Sequence, residues 1–153
     1  MTVDFIGIGF GKCGTTWLAD CLAEHPEVYI PKKEMGYFNE FISTDREFAP
    51  EKIPNMTALK PIEWYEKFFS QAPEGTIKGE FTPSYVLCSQ ARDKIRYNYP
   101  SVKLVVMLRE PVTRTRSKWL HRKREHPAYY SSFARTIREN PDFYDESSYA
   151  YYL

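Results

Sequence analysis

Hydrophobic and polar positions fall into blocks that read alternately as strands and helices. Val3 to Ile8 is an apolar run of strand length, and about Thr15 to Ala23 fits a helix. His25-Pro26 ends that helix, because proline disfavours helix in the residue before it. Val28 to Ile30 reads as a short strand. Pro31 to Pro61 carries Pro31, Pro50, Pro54 and Pro61 with sparse periodicity, so it is expected to be mostly loop; so long a connection is usually functional or mobile. The pattern then predicts a helix over Ile62–Ser70, a strand over Thr76–Phe81, and a helix over Ser89–Tyr97 that stops before Pro100. A buried strand follows over Val102–Leu108, then a basic helix over Val112–Glu125 and a last helix over Ser131–Glu139. Strands alternating with helices predict an α/β fold, a parallel sheet flanked by helices, with ligands at the carboxyl ends of the strands.

The join between the first strand and the first helix carries the clearest chemistry. Gly9, Gly11 and Gly14 form a glycine loop that opens a helix at Thr15, Thr16 and Trp17. Unpaired N–H groups and the positive end of a helix dipole converge there, which makes an anion site. Lys12 adds a positive charge and the two threonines add hydroxyl donors, so the expected ligand is a phosphate or a chemical relative of one. The triphosphatase pattern G-x-x-x-x-G-K-[ST] fails, since Lys12 precedes the last glycine by two residues. The dinucleotide pattern G-x-G-x-x-G matches at Gly9, Gly11 and Gly14, and an acid, Glu34, stands twenty residues beyond Gly14. That acid should end a second strand, yet Glu34 follows Pro31-Lys32-Lys33, which reads as loop. A nicotinamide-dependent dehydrogenase therefore stays open as a second reading, to be decided by strand order and by whether an acid sits at the second strand's tip.

A third reading accounts for more residues. Lys12-Cys13-Gly14-Thr15-Thr16-Trp17-Leu18 resembles the 5′-phosphosulfate loop, K-x-G-T-T-x-L, of sulfotransferases that use 3′-phosphoadenylyl sulfate (PAPS). Leu108-Arg109-Glu110-Pro111, continuing to Arg114 and Ser117, resembles that family's 3′-phosphate motif, L-R-[ND]-P-x-x-R-x-x-S. Between them, Lys33-Glu34-Met35-Gly36-Tyr37-Phe38 resembles the K-E-x-x-[FY]-F segment of the heparan-sulfate type, and Gly79 to Tyr85 resembles its E-K-[ST]-P-x-Y segment, with Phe81 in place of the lysine. The motifs keep the family's order from Val3 to about His121.

The resemblance implies a P-loop-like phosphosulfate loop after the first strand, with Gly11, Lys12, Cys13, Gly14, Thr15, Thr16 and Trp17 around the nucleotide. It implies Arg109 and Ser117 on the 3′-phosphate. Lys12 and Glu34 would be catalytic, the lysine on the leaving oxygen and the glutamate as the base that deprotonates a hydroxyl or amine acceptor, a glycan among the candidates. Trp17 is left between stacking near the adenine and filling the core of the first helix. Tyr37 and Phe38 read as core or pocket wall. The reaction would be direct displacement, without a metal or a covalent enzyme intermediate. A nucleotide-binding chain without turnover is the remaining alternative.

Composition narrows the rest. The chain has 153 residues, 42% of them hydrophobic, enough for one domain with a real core. Relatives in this family are longer, so a single sulfotransferase-like domain over 1–153 is expected to lack their C-terminal part. Net charge is +1, which gives no global field for nucleic acid. Arg114, Arg116, Lys118, Arg122, Lys123 and Arg124 crowd one helix, most simply as a solvated face. No run has the length of a membrane span, no leader is read before the first strand, and Cys13, Cys21 and Cys88 lack disulfide or metal spacing, so the cytoplasm is the expected compartment.

Overall fold

The computed structural model describes residues 3–43, 52–141 and 143. The chain divides into two compact units, Met1–Met107 and Leu108–Leu153. In the first, four parallel strands form the sheet: β1 (Phe5–Gly9), β2 (Val28–Tyr29), β5 (Ile77–Phe81) and β6 (Lys103–Val106), in the order β2-β5-β1-β6. β1 is central and buried throughout, as its apolar run requires.

One face of the sheet is covered by α1 (Thr15–Ala23), through a cluster of Phe5, Ala19 and Phe81 with Leu18, Leu22 and Val105. The other face carries the larger core. There Ile6 and Ile8 of β1 meet Tyr37, Phe38, Tyr65 of α2 (Ile62–Glu66), Tyr85, and Ala91 and Ile95 of α3 (Ser89–Asn98). The period of two in β1 thus sends alternate side chains to different helices.

The pairing of β1 with β5 is cut to fit. Phe5 lies opposite Gly79 and Gly7 opposite Phe81. A Cβ at Gly79 would run into the Phe5 ring, and one at Gly7 into the Phe81 ring. The two rings meet edge to face, with centroids 5.8 Å apart.

Two expectations need correction. The strand expected to be buried over Val102–Leu108 is shorter and lies at the sheet edge; Leu104 is 52% and Val106 45% exposed, while Val105 reaches the α1 side. An apolar run says that a strand forms there, not that both its faces are covered. The stretch expected to be mostly loop contains an antiparallel pair, β3 (Phe41–Ser43) with β4 (Lys52–Pro54), and a 3-10 turn at Met56–Leu59. Three-residue strands are too short to show a period; residues 44–51 of that stretch lie outside the described residues.

The second unit holds α4 (Pro111–Glu125) and α5 (Phe133–Glu139) around Trp119, Tyr130 and Phe143. The Trp119 indole N–H donates to Thr136 Oγ1 at 3.0 Å. The basic helix is not simply a solvated face: Arg114 is buried with Thr115 and Trp119, and the ammonium groups of Lys118 and Lys123 lie 4.2 and 4.8 Å from the Phe143 and Trp119 ring centres.

Candidate active site

The glycine loop begins where β1 ends. Phe10 N–H donates to Met107 O at 3.0 Å, and Met107 N–H donates to Gly9 O at 2.8 Å, so the start of the loop is tied to the chain leaving β6. Lys12 then takes the left-handed conformation, φ 65°, and Gly14 takes it again at φ 86°, as the N-cap of α1. Gly14 is needed for that φ; the conformation is costly for any residue with a Cβ. The turn carries the chain into α1, where Leu18 N–H closes the first helical bond on Gly14 O at 3.0 Å.

The cap has no side chain bonded to it, and the first turn of α1 holds no acid. The positive end of this helix is therefore not offset by a carboxylate of its own. Thr15 and Cys13 are buried, whereas Thr16 is exposed and space is open where a Cβ of Gly11 would stand. Trp17 is 68% exposed, which overturns its reading as a core residue of the helix; the helix buries Thr15 and Ala19 instead.

The neighbouring strand brings the second element to the same edge. β5 runs parallel to β1, and Thr82 N–H, just past its end, donates to Gly7 O at 2.8 Å. The chain at Glu34 crosses that end: Glu34 N–H donates to Phe81 O at 2.7 Å, and Gly36 N–H donates to Thr82 Oγ1 at 3.2 Å. Glu34 sits at φ 57°, another left-handed non-glycine residue, with its side chain 64% exposed and paired to the Lys33 ammonium. Strained backbone of this kind needs surroundings that hold it. The loop bearing Lys12 thus leaves the carboxyl end of β1, and the segment bearing Glu34, which comes from β2, crosses the carboxyl end of the neighbouring β5.

Beneath that segment is a polar cluster around Glu80, a residue that sequence reasoning placed in a family motif but to which it assigned no role in the site. Glu80 is fully buried and accepts from the hydroxyls of Tyr65 and Tyr85 at 3.0 Å each and of Thr82 at 2.7 Å. Burial pushes its carboxyl up to about 7, against the hydroxyl and backbone donors that pull it down. Burial and the nearby Glu80 carboxylate raise the Tyr65 and Tyr85 phenols well above their ordinary range. Asn55, also buried, donates to Gly36 O at 2.7 Å and Asn39 O at 2.6 Å, and so holds the same segment from its other side. The E-K-[ST]-P-x-Y resemblance over Gly79 to Tyr85 was the visible signal for Glu80; nothing in the sequence marks Asn55. Tyr37 and Phe38 are core residues, as expected. So is Phe81, whose ring points to the α1 side.

Arg109 and Ser117 belong to the second unit. Arg109 is exposed just before α4, and Ser117 is half-buried on that helix, on a groove shared with Leu120, Lys123, Arg124 and Pro127. The first-turn donors of α4 are taken by Glu110, which accepts from Val112 N–H at 2.8 Å and Thr113 N–H at 2.7 Å. These bonds hold the Glu110 carboxyl below its usual range. An anion at Arg109 would be held by side chains rather than by the end of this helix.

The sheet decides against the dinucleotide reading. In that fold the second strand pairs with the first. Here β5 lies between β1 and β2, and Glu34 is past the tip of β2, bonded to β5 instead.

No family model matches the chain. The membrane-associated sulfotransferase kil1 of Dictyostelium discoideum is 32% identical over 149 residues, 91% of this chain and 28% of that protein. The heparan sulfate glucosamine 3-O-sulfotransferase 3A1 of Mus musculus is 30% identical over 131 residues, 86% of this chain and 29% of that protein. The solved sulfotransferase of Alicyclobacillus acidocaldarius superposes with a TM-score of 0.69 at 25% identity, over 98% of this chain and 62% of its own. The chain therefore spans under a third of those two curated relatives. Likeness over nearly the whole chain, in sequence and in fold, to proteins that share that name places the chain in the sulfotransferase family.

Proposed function

We propose that the chain carries the donor site and the base of a PAPS-dependent sulfotransferase acting on a hydroxyl or amine, with a glycan as the favoured acceptor. One observation carries the reading: the lysine-bearing glycine loop leaves the carboxyl end of β1, and the Glu34 segment, coming from β2, is bonded across the carboxyl end of the adjacent β5. The α1 end without an acid in its first turn and the open space at Gly11 suit a phosphosulfate. PAPS, when bound, supplies an activated sulfuryl group on a good leaving group. Lys12, with N–H and hydroxyl donors from Gly14, Thr15 and Thr16, stabilises charge on the leaving oxygen. Glu34 takes the acceptor's proton as that atom attacks sulfur in line. Arg109 and Ser117 bind the 3′-phosphate, and Trp17 offers an exposed ring near the loop.

The glycan acceptor is favoured by the heparan sulfate sulfotransferases among the relatives. That one solved sulfotransferase covers 98% of the chain supports reading both units as parts of a single domain. Among the described residues no helix is long and apolar enough to cross a membrane. Cys13, Cys21 and Cys88 form no disulfide, which suits a reducing compartment such as the cytoplasm.

The test is ligand-linked melting. Adenosine 3′,5′-bisphosphate is expected to raise the melting temperature and NAD to leave it unchanged. Equal or greater stabilisation by NAD overturns the proposal. Binding of the bisphosphate without sulfate transfer to any hydroxyl or amine acceptor restricts the chain to a nucleotide-binding role.

A further inference from the structure

Glu80 has no part in the chemistry just proposed, yet its contacts lead to the segment that bears the base. Thr82, whose hydroxyl donates to Glu80 Oε2, accepts at that same oxygen from Gly36 N–H. Tyr85, whose hydroxyl donates to Oε1, accepts in turn from Phe38 N–H at 3.4 Å. The Met35 backbone adds to the groups that favour the charged carboxylate. Tyr65, the remaining donor, stacks on Tyr37 with centroids 4.9 Å apart and meets Phe38 edge to face at 5.0 Å. Each partner of this one carboxylate therefore reaches residues 35–38, immediately after Glu34.

A buried carboxylate is costly, and it is tolerated where every oxygen lone pair has work. An apolar residue at position 80 would fill the core at less cost but would leave the Thr82, Tyr85 and Tyr65 hydroxyls without their acceptor. Glu34 itself is held in a left-handed conformation that a loosely tethered glutamate would leave. We propose that Glu80 is a positioning residue: it locks residues 35–38 to the end of β5 and thereby fixes Glu34 where it meets the acceptor. The purpose of the lock rests on the reading of Glu34 as the base; the lock itself does not.

Amide hydrogen exchange on the whole 153-residue chain tests it. In Glu80→Gln the amide nitrogen cannot accept from the Thr82 hydroxyl. Exchange at Glu34, Met35, Gly36 and Phe38 is expected to rise by roughly tenfold, the size of one net hydrogen bond, while β1 and β5 keep their protection. Milder variants isolate the branches: Thr82→Val should release Gly36, Thr82→Ser should restore it, and Tyr85→Phe should release Phe38. In turnover, Glu80→Gln should lower kcat and leave KM for the donor near its original value, because the glycine loop is untouched. Unchanged exchange at 34–38 in both Glu80→Gln and Thr82→Val overturns the proposal. So does protection lost evenly across β1 and β5, which would make Glu80 a plain core residue. If the exchange pattern appears but Glu34→Gln transfers sulfate at the original rate, the base assignment falls and the lock stands.

Discussion

Lys12 and Glu34 are both charged residues in left-handed backbone, and their expected roles differ in a way that kinetics separates. Lys12→Ala should depress transfer to every acceptor and also weaken binding of the sulfated donor, since the charge acts on the donor's leaving oxygen. Glu34→Gln keeps the shape and removes the base. It should slow the chemical step by roughly 10²–10⁴-fold with affinity for adenosine 3′,5′-bisphosphate nearly unchanged. Single-turnover rates and equilibrium binding, measured on both variants, check the pair. A fall in bisphosphate affinity in Glu34→Gln as large as that in Lys12→Ala would place both residues on the nucleotide.

At the scale of elements, the two helices assigned to phosphate differ at their starts. α1 begins on Gly14 with no acid in its first turn, whereas α4 begins on Glu110, which occupies its own first donors. In the proposed site, recognition of the 3′-phosphate is thereby left to the Arg109 guanidinium and Ser117. Arg109→Ala should weaken the 3′-phosphorylated nucleotide by about 1.5–3 kcal/mol, the worth of a charge-assisted bond. Adenosine 5′-phosphosulfate, which lacks that group, should bind nearly as before. Calorimetry on both ligands decides it, and equal losses would make Arg109 structural.

Most elements were legible because period and punctuation agreed: α1 runs over Thr15–Ala23 and α5 ends at Glu139, as read. The β3–β4 pair was not, because strands so short carry no period. The edge position of β6 is likewise a property of the sheet, invisible in an apolar run. At the site, the loop and Glu34 were marked by residue type and spacing, and Glu80, Thr82 and Tyr85 stand in one family motif, while Asn55 and Tyr65 act through contacts between residues far apart in sequence.

For the molecule as a whole, the buried carboxyl couples folding to pH. Glu80 titrates near 7 when folded, against about 4.5 when exposed, so the folded state holds the proton more tightly. Its contribution is fully present below about pH 4.5 and is lost as pH rises through about 7. The difference amounts to a few kcal/mol, on the order of 1.4 for each pH unit of separation. The melting temperature should accordingly fall between about pH 4.5 and pH 7 and level off above, and Glu80→Gln should flatten that dependence. A slope that survives the substitution would assign it to other groups.

The fit of Phe81 over Gly7 also bears on how this chain could change over time. The motif that residues 79–85 resemble carries a lysine at position 81, but a lysine here would vacate the space over Gly7 and leave the Phe5 ring without its neighbour. Positions 7 and 81 are thus sterically coupled. A lineage that acquires a different side chain at 81 has first to pass through a hole in the sheet, or through a larger residue at 7 that the present ring forbids. The choice of side chain at the end of β5 is in this way tied to a glycine on the next strand.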